Sequence, residues 1–217
     1  MAQATSQDII HEILSAINRN QEIVFVSYSV LDETEKNIQY ALSKILERHN
    51  KSDLYTPVYS SLKELVANAI KANAKYILIE EGEIKDPDDI MEVVDKVRNI
   101  LNEESLLLYG IKAKQYRLST RIYLKPQATR LIIEVINNLP VPQKELERMR
   151  ERIERSSNYD SIADFYLENP DPAAEGMGLG LSMVVVLLKS VGIPYTNFTL
   201  YTDFKSKTVA RIIIPLM

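Results

Sequence analysis

Three short segments of this chain carry side chains able to act together on one substrate. The first is Glu64-Leu-Val-Ala-Asn68-Ala-Ile-Lys71. On a helix, positions i and i+4 share a face, so Glu64 and Asn68 project together and Lys71 follows one turn later. A carboxamide oxygen is a neutral hard ligand for Mg²⁺, and a carboxylate can orient or deprotonate a nucleophile. An amphipathic helix with a polar outer face would show the same pattern. The second segment, Glu175-Gly-Met-Gly-Leu-Gly-Leu181, opens an apolar run. Glycines let backbone N–H groups approach a ligand, and a helix N-terminus favours phosphate. It is not the dinucleotide fingerprint, which needs a preceding strand and a βαβ unit; a glycine-rich turn into a buried helix explains it equally well. The third is Leu131-Ile-Ile-Glu-Val-Ile-Asn137-Asn138, a strand ending in carboxamides that could hold a base. An ordinary strand and turn would read the same way.

The elements that must position these groups follow from periodicity. Residues 7–18 carry Ile9, Ile10, Ile13, Leu14 and Ile17 at helical spacing, with Ser6 as N-cap. A β-rich run at 22–30 predicts a strand. Residues 32–48 predict a second helix, and Pro57 opens a third that runs to about 73. Residues 76–79 read as a strand, Pro87 opens a fourth helix to about 101, and 106–111, 116–124 and 130–137 read as strands. Residues 143–155 form a helix with five basic and four acidic side chains, which reads as a solvated face. Residues 156–175, with Asn169-Pro170-Asp171-Pro172, read as a long mobile segment. A helix over 181–191 ends at Gly192, and strands at 197–201 and 208–216 close the chain. This mixture predicts an α+β layered sandwich.

Taken in order, the three segments resemble the GHKL superfamily, the ATP-binding fold of sensor histidine kinases, gyrase-type topoisomerases and mismatch-repair ATPases. Residues 64–71 are similar to its N box. There Glu64 matches the catalytic or water-orienting acid, Asn68 the Mg²⁺ ligand and Lys71 a phosphate-side lysine of the kinase branch. Asn137-Asn138-Leu139-Pro140-Val141 looks like the first glycine box, usually Asp-x-Gly-x-Gly. Gly176-Met-Gly178-Leu-Gly180-Leu181-Ser182 resembles the second glycine box, and residues 208–215 are similar to the kinase branch's last strand. The resemblance implies a two-layer α/β sandwich over residues 22–217: a mixed sheet with helices on one face, preceded by an N-terminal helix in 1–21. It also implies ATP and Mg²⁺ as ligands and an ATP lid at about 143–175. Three departures stand out. Asn137 replaces the adenine-binding Asp, and Leu139 and Val141 replace hinge glycines, where their side chains could narrow the base pocket. Residues 80–130 exceed the usual connection, which reads as an inserted helix and hairpin. The phosphoacceptor hairpin of a sensor kinase has no counterpart beyond His11 on a single helix.

Composition narrows the partners. The chain has 217 residues, 46% apolar and 26% charged, as expected of one decorated globular domain. With no cysteine and only two histidines, it has no thiolate chemistry and no histidine-built metal site. A net charge of −4 argues against nucleic acid. No apolar run is long enough to span a bilayer, and residues 1–7 do not read as a signal peptide, so a cytoplasmic protein is expected. The expected function is ATP binding in the histidine-kinase-like branch, with phosphorylation of a partner protein. The alternatives are a non-catalytic nucleotide- or ligand-binding module that docks on a partner, and a structural protein. The amphipathic helix at 7–18 offers a face for pairing with a second copy.

Overall fold

The computed structural model describes residues 6–29, 33–86, 89–99, 103–168 and 179–217. It shows an α+β protein in two layers. The described elements are α1 (Ser6–Asn18), β1 (Ile23–Ser27), α2 (Glu33–Arg48), α3 (Tyr55–Glu80), α4 (Ile90–Asn99), α5 (Glu103–Gln115), β2 (Thr120–Pro126), β3 (Arg130–Asn137), α6 (Gln143–Ser156), α7 (Ile162–Glu168), α8 (Leu179–Ser190), β4 (Phe198–Thr202) and β5 (Thr208–Pro215).

The sheet order is β1-β2-β3-β5-β4, and every neighbouring pair is antiparallel. The expected mixed sheet is therefore corrected. β3 and β4 do run in the same direction, as a helical crossover requires, but the tight β4–β5 hairpin puts β5 between them. Rows of apolar side chains cross the helix-facing side in register, such as Ile23, Leu124, Ile133, Ile212 and Phe198. They form the main core with α1, α2, α3, α6 and α8. The opposite face is open, with Val24 and Val26 exposed.

α3 organises the helical layer. Pro57 lies in its first turn, where the missing N–H costs no intrahelical bond. The helix runs seven residues beyond the sequence expectation and ends where Gly82 takes a left-handed φ of 72°, with Glu83 N–H bonding back to Leu78 O at 2.9 Å. Residues 76–79 are thus helical, not a strand, because Ala74, Ile77 and Leu78 continue the buried stripe. The 106–111 run is likewise helical, in α5. Its Tyr109 and Ala113 join Ile77, Val93 and Val97 in a second core beyond the end of the sheet. Residues 80–130 therefore supply two helices and β2, which forms its hairpin with β3, where an inserted helix and hairpin were expected. Two further strand boundaries move: β1 is shorter than 22–30 and β2 begins at Thr120.

Residues 157–168, expected within a long mobile segment, form a turn and the helix α7. Buried Phe165 of α7 meets Tyr159 edge-on at 5.3 Å. Lys189 of α8 holds this turn through Ser157 O at 2.9 Å and Asp160 at 2.8 Å. Pro87 and the turn Asn169-Pro170-Asp171-Pro172 lie outside the described residues. α1 buries Ile13 and Ile17 in the chain's own core, so the stripe expected to meet a second copy is largely occupied within this one.

Candidate functional site

Glu64, Asn68 and Lys71 lie in the middle of α3, all three half-buried. α3 packs along α8, and Glu64 lies against Gly180. A Cβ added at Gly180 would overlap the Glu64 carboxylate, with Cδ at 2.6 Å and Cγ at 2.8 Å. Only glycine at 180 lets the carboxylate lie across the first turn of α8. In α8 as described that turn is the N-terminal one, where a helix generally presents open N–H groups and the positive end of its dipole. Among the described residues, neither the Glu64 carboxylate nor the Asn68 carboxamide has a hydrogen-bond partner.

The third segment meets the same helix. Asn137 ends β3 on the helix-facing side, only 6% exposed. Its Nδ2 donates to Ala69 O at 3.1 Å, next to Asn68, while its Oδ1 is buried without a partner. The three segments are thus neighbours in space: α3 touches the start of α8 on one side and the end of β3 on the other.

The sequence reading missed a row of polar side chains around Asn137. In register across the sheet stand Ser27, Thr120, Asn137, Thr208 and Thr202. The outer members are satisfied. Ser27 Oγ donates to Ser29 O at 2.6 Å, Thr208 Oγ1 to Leu139 O at 2.8 Å, and Thr202 Oγ1 to Lys207 O at 2.7 Å. The centre is not. Thr120 Oγ1 and Asn137 Oδ1 are buried and unpartnered, as are both polar atoms of Asn73, one turn beyond Ala69 on α3. Each such group costs about 1–3 kcal/mol relative to a satisfied one, so four unpaired atoms in one place call for a polar occupant, a ligand or water. The signal available in the sequence was a polar residue at one end of each strand, at 27, 120, 137, 202 and 208.

Other expected site residues fall differently. Leu181 is buried in the main core, where it backs the helix and offers a ligand only its main chain. Gly176 and Gly178 lie outside the described residues. Leu139 packs against the second core and Val141 against the main one. Asn138 ties the preceding loop, accepting from Ser119 N–H at 2.7 Å and donating to Arg117 O at 2.8 Å. Ser182 bonds Ser156 at 2.8 Å in the core, which fixes α8 to α6. His11 is exposed on α1, remote in sequence and fold from α3. Among the described residues no cluster of three or more His, Cys, Asp or Glu could hold a metal, and no helix is long and apolar enough to cross a membrane.

Comparison with known proteins gives little to name the site. No family model matches the chain, and no solved structure does. The chain is 26% identical, over 94% of its length, to an uncharacterized protein of Treponema pallidum (strain Nichols). It spans 40% of that relative's length.

Proposed function

We propose that this chain binds Mg·ATP between the middle of α3, the end of β3 and the start of α8, and belongs to the histidine-kinase-like branch of the GHKL superfamily. The observation that carries this reading is the convergence on α3 of Glu64 with Gly180 and of Ala69 with Asn137. The orphaned acceptors fit the group: Asn137 Oδ1 can take a hydrogen bond from an adenine amino group, its own amide being held by Ala69 O. Asn68 supplies a neutral oxygen for Mg²⁺, which when bound neutralises phosphate charge. Glu64, without a hydrogen-bond partner among the described residues, would accept the proton of an attacking hydroxyl or imidazole as the terminal phosphoryl passes from ATP to a partner protein, releasing ADP.

A second reading, nucleotide binding without turnover, is favoured by one observation. Asn137 is neutral where the family carries a carboxylate, so its bond to a base lacks charge assistance. The two readings share the pocket and differ at Glu64.

Thermal melting tests the pocket. Mg·ATP at a hundredfold its Kd stabilises by about 2.7 kcal/mol, or roughly 5–10 °C for a chain of this size. Asn68→Ala removes that shift. Gly180→Ala, whose Cβ would overlap the Glu64 side chain, also removes it. The absence of any shift at millimolar Mg·ATP contradicts the proposal. Label transfer to a partner, lost in Glu64→Gln with binding retained, separates the kinase from the binding module.

A further inference from the structure

The two edges of the sheet are treated differently. At the β4 edge, α6 lies alongside the strand, and Arg150 Nη2 and Nε donate to Leu200 O at 2.9 and 3.3 Å. At the β1 edge, over residues 23–26, no hydrogen bond satisfies the outward backbone groups among the described residues. The strand, Ile-Val-Phe-Val-Ser, has no lysine, proline or glycine to discourage pairing, and Val24 and Val26 are 45% and 42% exposed. Each edge has a helix beside it, α1 at β1 and α6 at β4, but only α6 bonds its strand's backbone; an edge with open N–H and C=O groups and no lysine or proline is a place where another strand is expected to add.

The edge faces a cleft of about 370 Å³ between β1, α1 and the first turns of α2. Ile9, Ile13 and Ala16 of α1 form its apolar wall, Glu12 its one charged group, and Thr34 and Asn37 its far end. The α1 wall is fixed: Ile13 and Ile17 are buried, and Arg48 of α2 grips the C-terminal end of α1 through Ile17 O and, at 3.2 Å, Asn20 Oδ1. The Glu12 carboxylate is exposed and has no ion-pair partner among the described residues.

We propose that this cleft binds an extended segment of a partner protein, which adds to the sheet as a sixth strand antiparallel or parallel to β1. Its side chains would alternate small apolar groups, with a lysine or arginine set against Glu12. Main-chain hydrogen bonds to the β1 edge supply affinity, and the cleft selects alternate side chains. A second copy is a poor occupant, because its β1, Ile-Val-Phe-Val-Ser, brings no basic side chain to answer Glu12; a free extended segment can carry one.

The test uses synthetic heptapeptides of alternating valine and threonine, with one lysine scanned through every position, added to the full chain. Anisotropy of the labelled peptides gives affinity, and amide hydrogen exchange gives location. At least one peptide should bind and slow exchange at the outward-facing amides within residues 23–26 by about tenfold or more. Its analogue N-methylated at alternate residues should not bind. Glu12→Lys, an exposed change that leaves the fold intact, should weaken the lysine peptide about fivefold and strengthen a glutamate counterpart. Three results overturn the proposal: no peptide protects β1, the N-methylated analogue binds equally well, or the chain alone is a dimer with these amides already protected.

Discussion

Glu134 and Asn137 are three residues apart on β3, on opposite faces of the same strand, and both are buried. Glu134, on the open face, is fully answered. Arg211 Nε and Nη2 reach Oε1 at 2.6 Å each, and Lys125 reaches Oε2 at 2.8 Å. Arg211 stacks on Tyr201 and Lys125 on Tyr123, 5.5 and 5.1 Å from the ring centroids. Asn137, on the helix side, keeps a buried oxygen with no partner, beside Thr120 and Asn73 in the same condition. A charge buried for structure comes with its counter-ions built in. Polar groups buried without partners in the same sheet are better explained by something that arrives from outside.

The contrast is broken most forcefully from the Glu134 side. Arg211→Ala leaves a buried carboxylate with lysine alone, and denaturant unfolding should show a loss of about 2–3 kcal/mol. Burial pushes the Glu134 carboxyl up, but the hydrogen bonds from Lys125 and Arg211 outweigh it and hold the group below its usual 4.5. A depressed folded pKa contributes stability above the unfolded value and loses it as pH falls through the folded one. Stability should therefore decline as pH drops below about 4.5, and Glu134→Gln should flatten that limb of the pH–stability curve.

The Asn137 side should respond in the opposite sense. Asn73→Leu and Thr120→Val remove polar atoms that have no partners, so unfolding should show no loss and a gain of up to about 1 kcal/mol. Both should weaken Mg·ATP binding, measured by calorimetry. A large loss of stability on either substitution would mean that these groups are satisfied within the fold, and the contrast would disappear.

How much of this was legible in sequence depended on the range of the interactions. α1, α2, α6, α8 and β3 follow from local periodicity and from Gly192, which ends α8 at a φ of 76°. The runs at 76–79 and 106–111 misled because a short apolar β-branched or leucine-rich stretch has the same composition in a buried helix and in a strand. The second core that decides between them is assembled from residues 74–118. The all-antiparallel sheet was hidden because nothing in β5 itself says that it will slip between β3 and β4. The shared helix of Glu64 and Asn68 was legible from their four-residue spacing. The meeting of Glu64 with Gly180 rests on helix packing, and the polar row around Asn137 on strand register; a single chain read linearly displays neither.

The most direct measurement is a crystal structure of the chain with a non-hydrolysable Mg·ATP analogue. The proposed site predicts the adenine amino group on Asn137 Oδ1, the metal on Asn68 and the phosphates over the first turn of α8 beside Glu64. A fully occupied crystal in which the nucleotide lies elsewhere, or a saturating soak that leaves Asn137 Oδ1 bonded only to water, would contradict it.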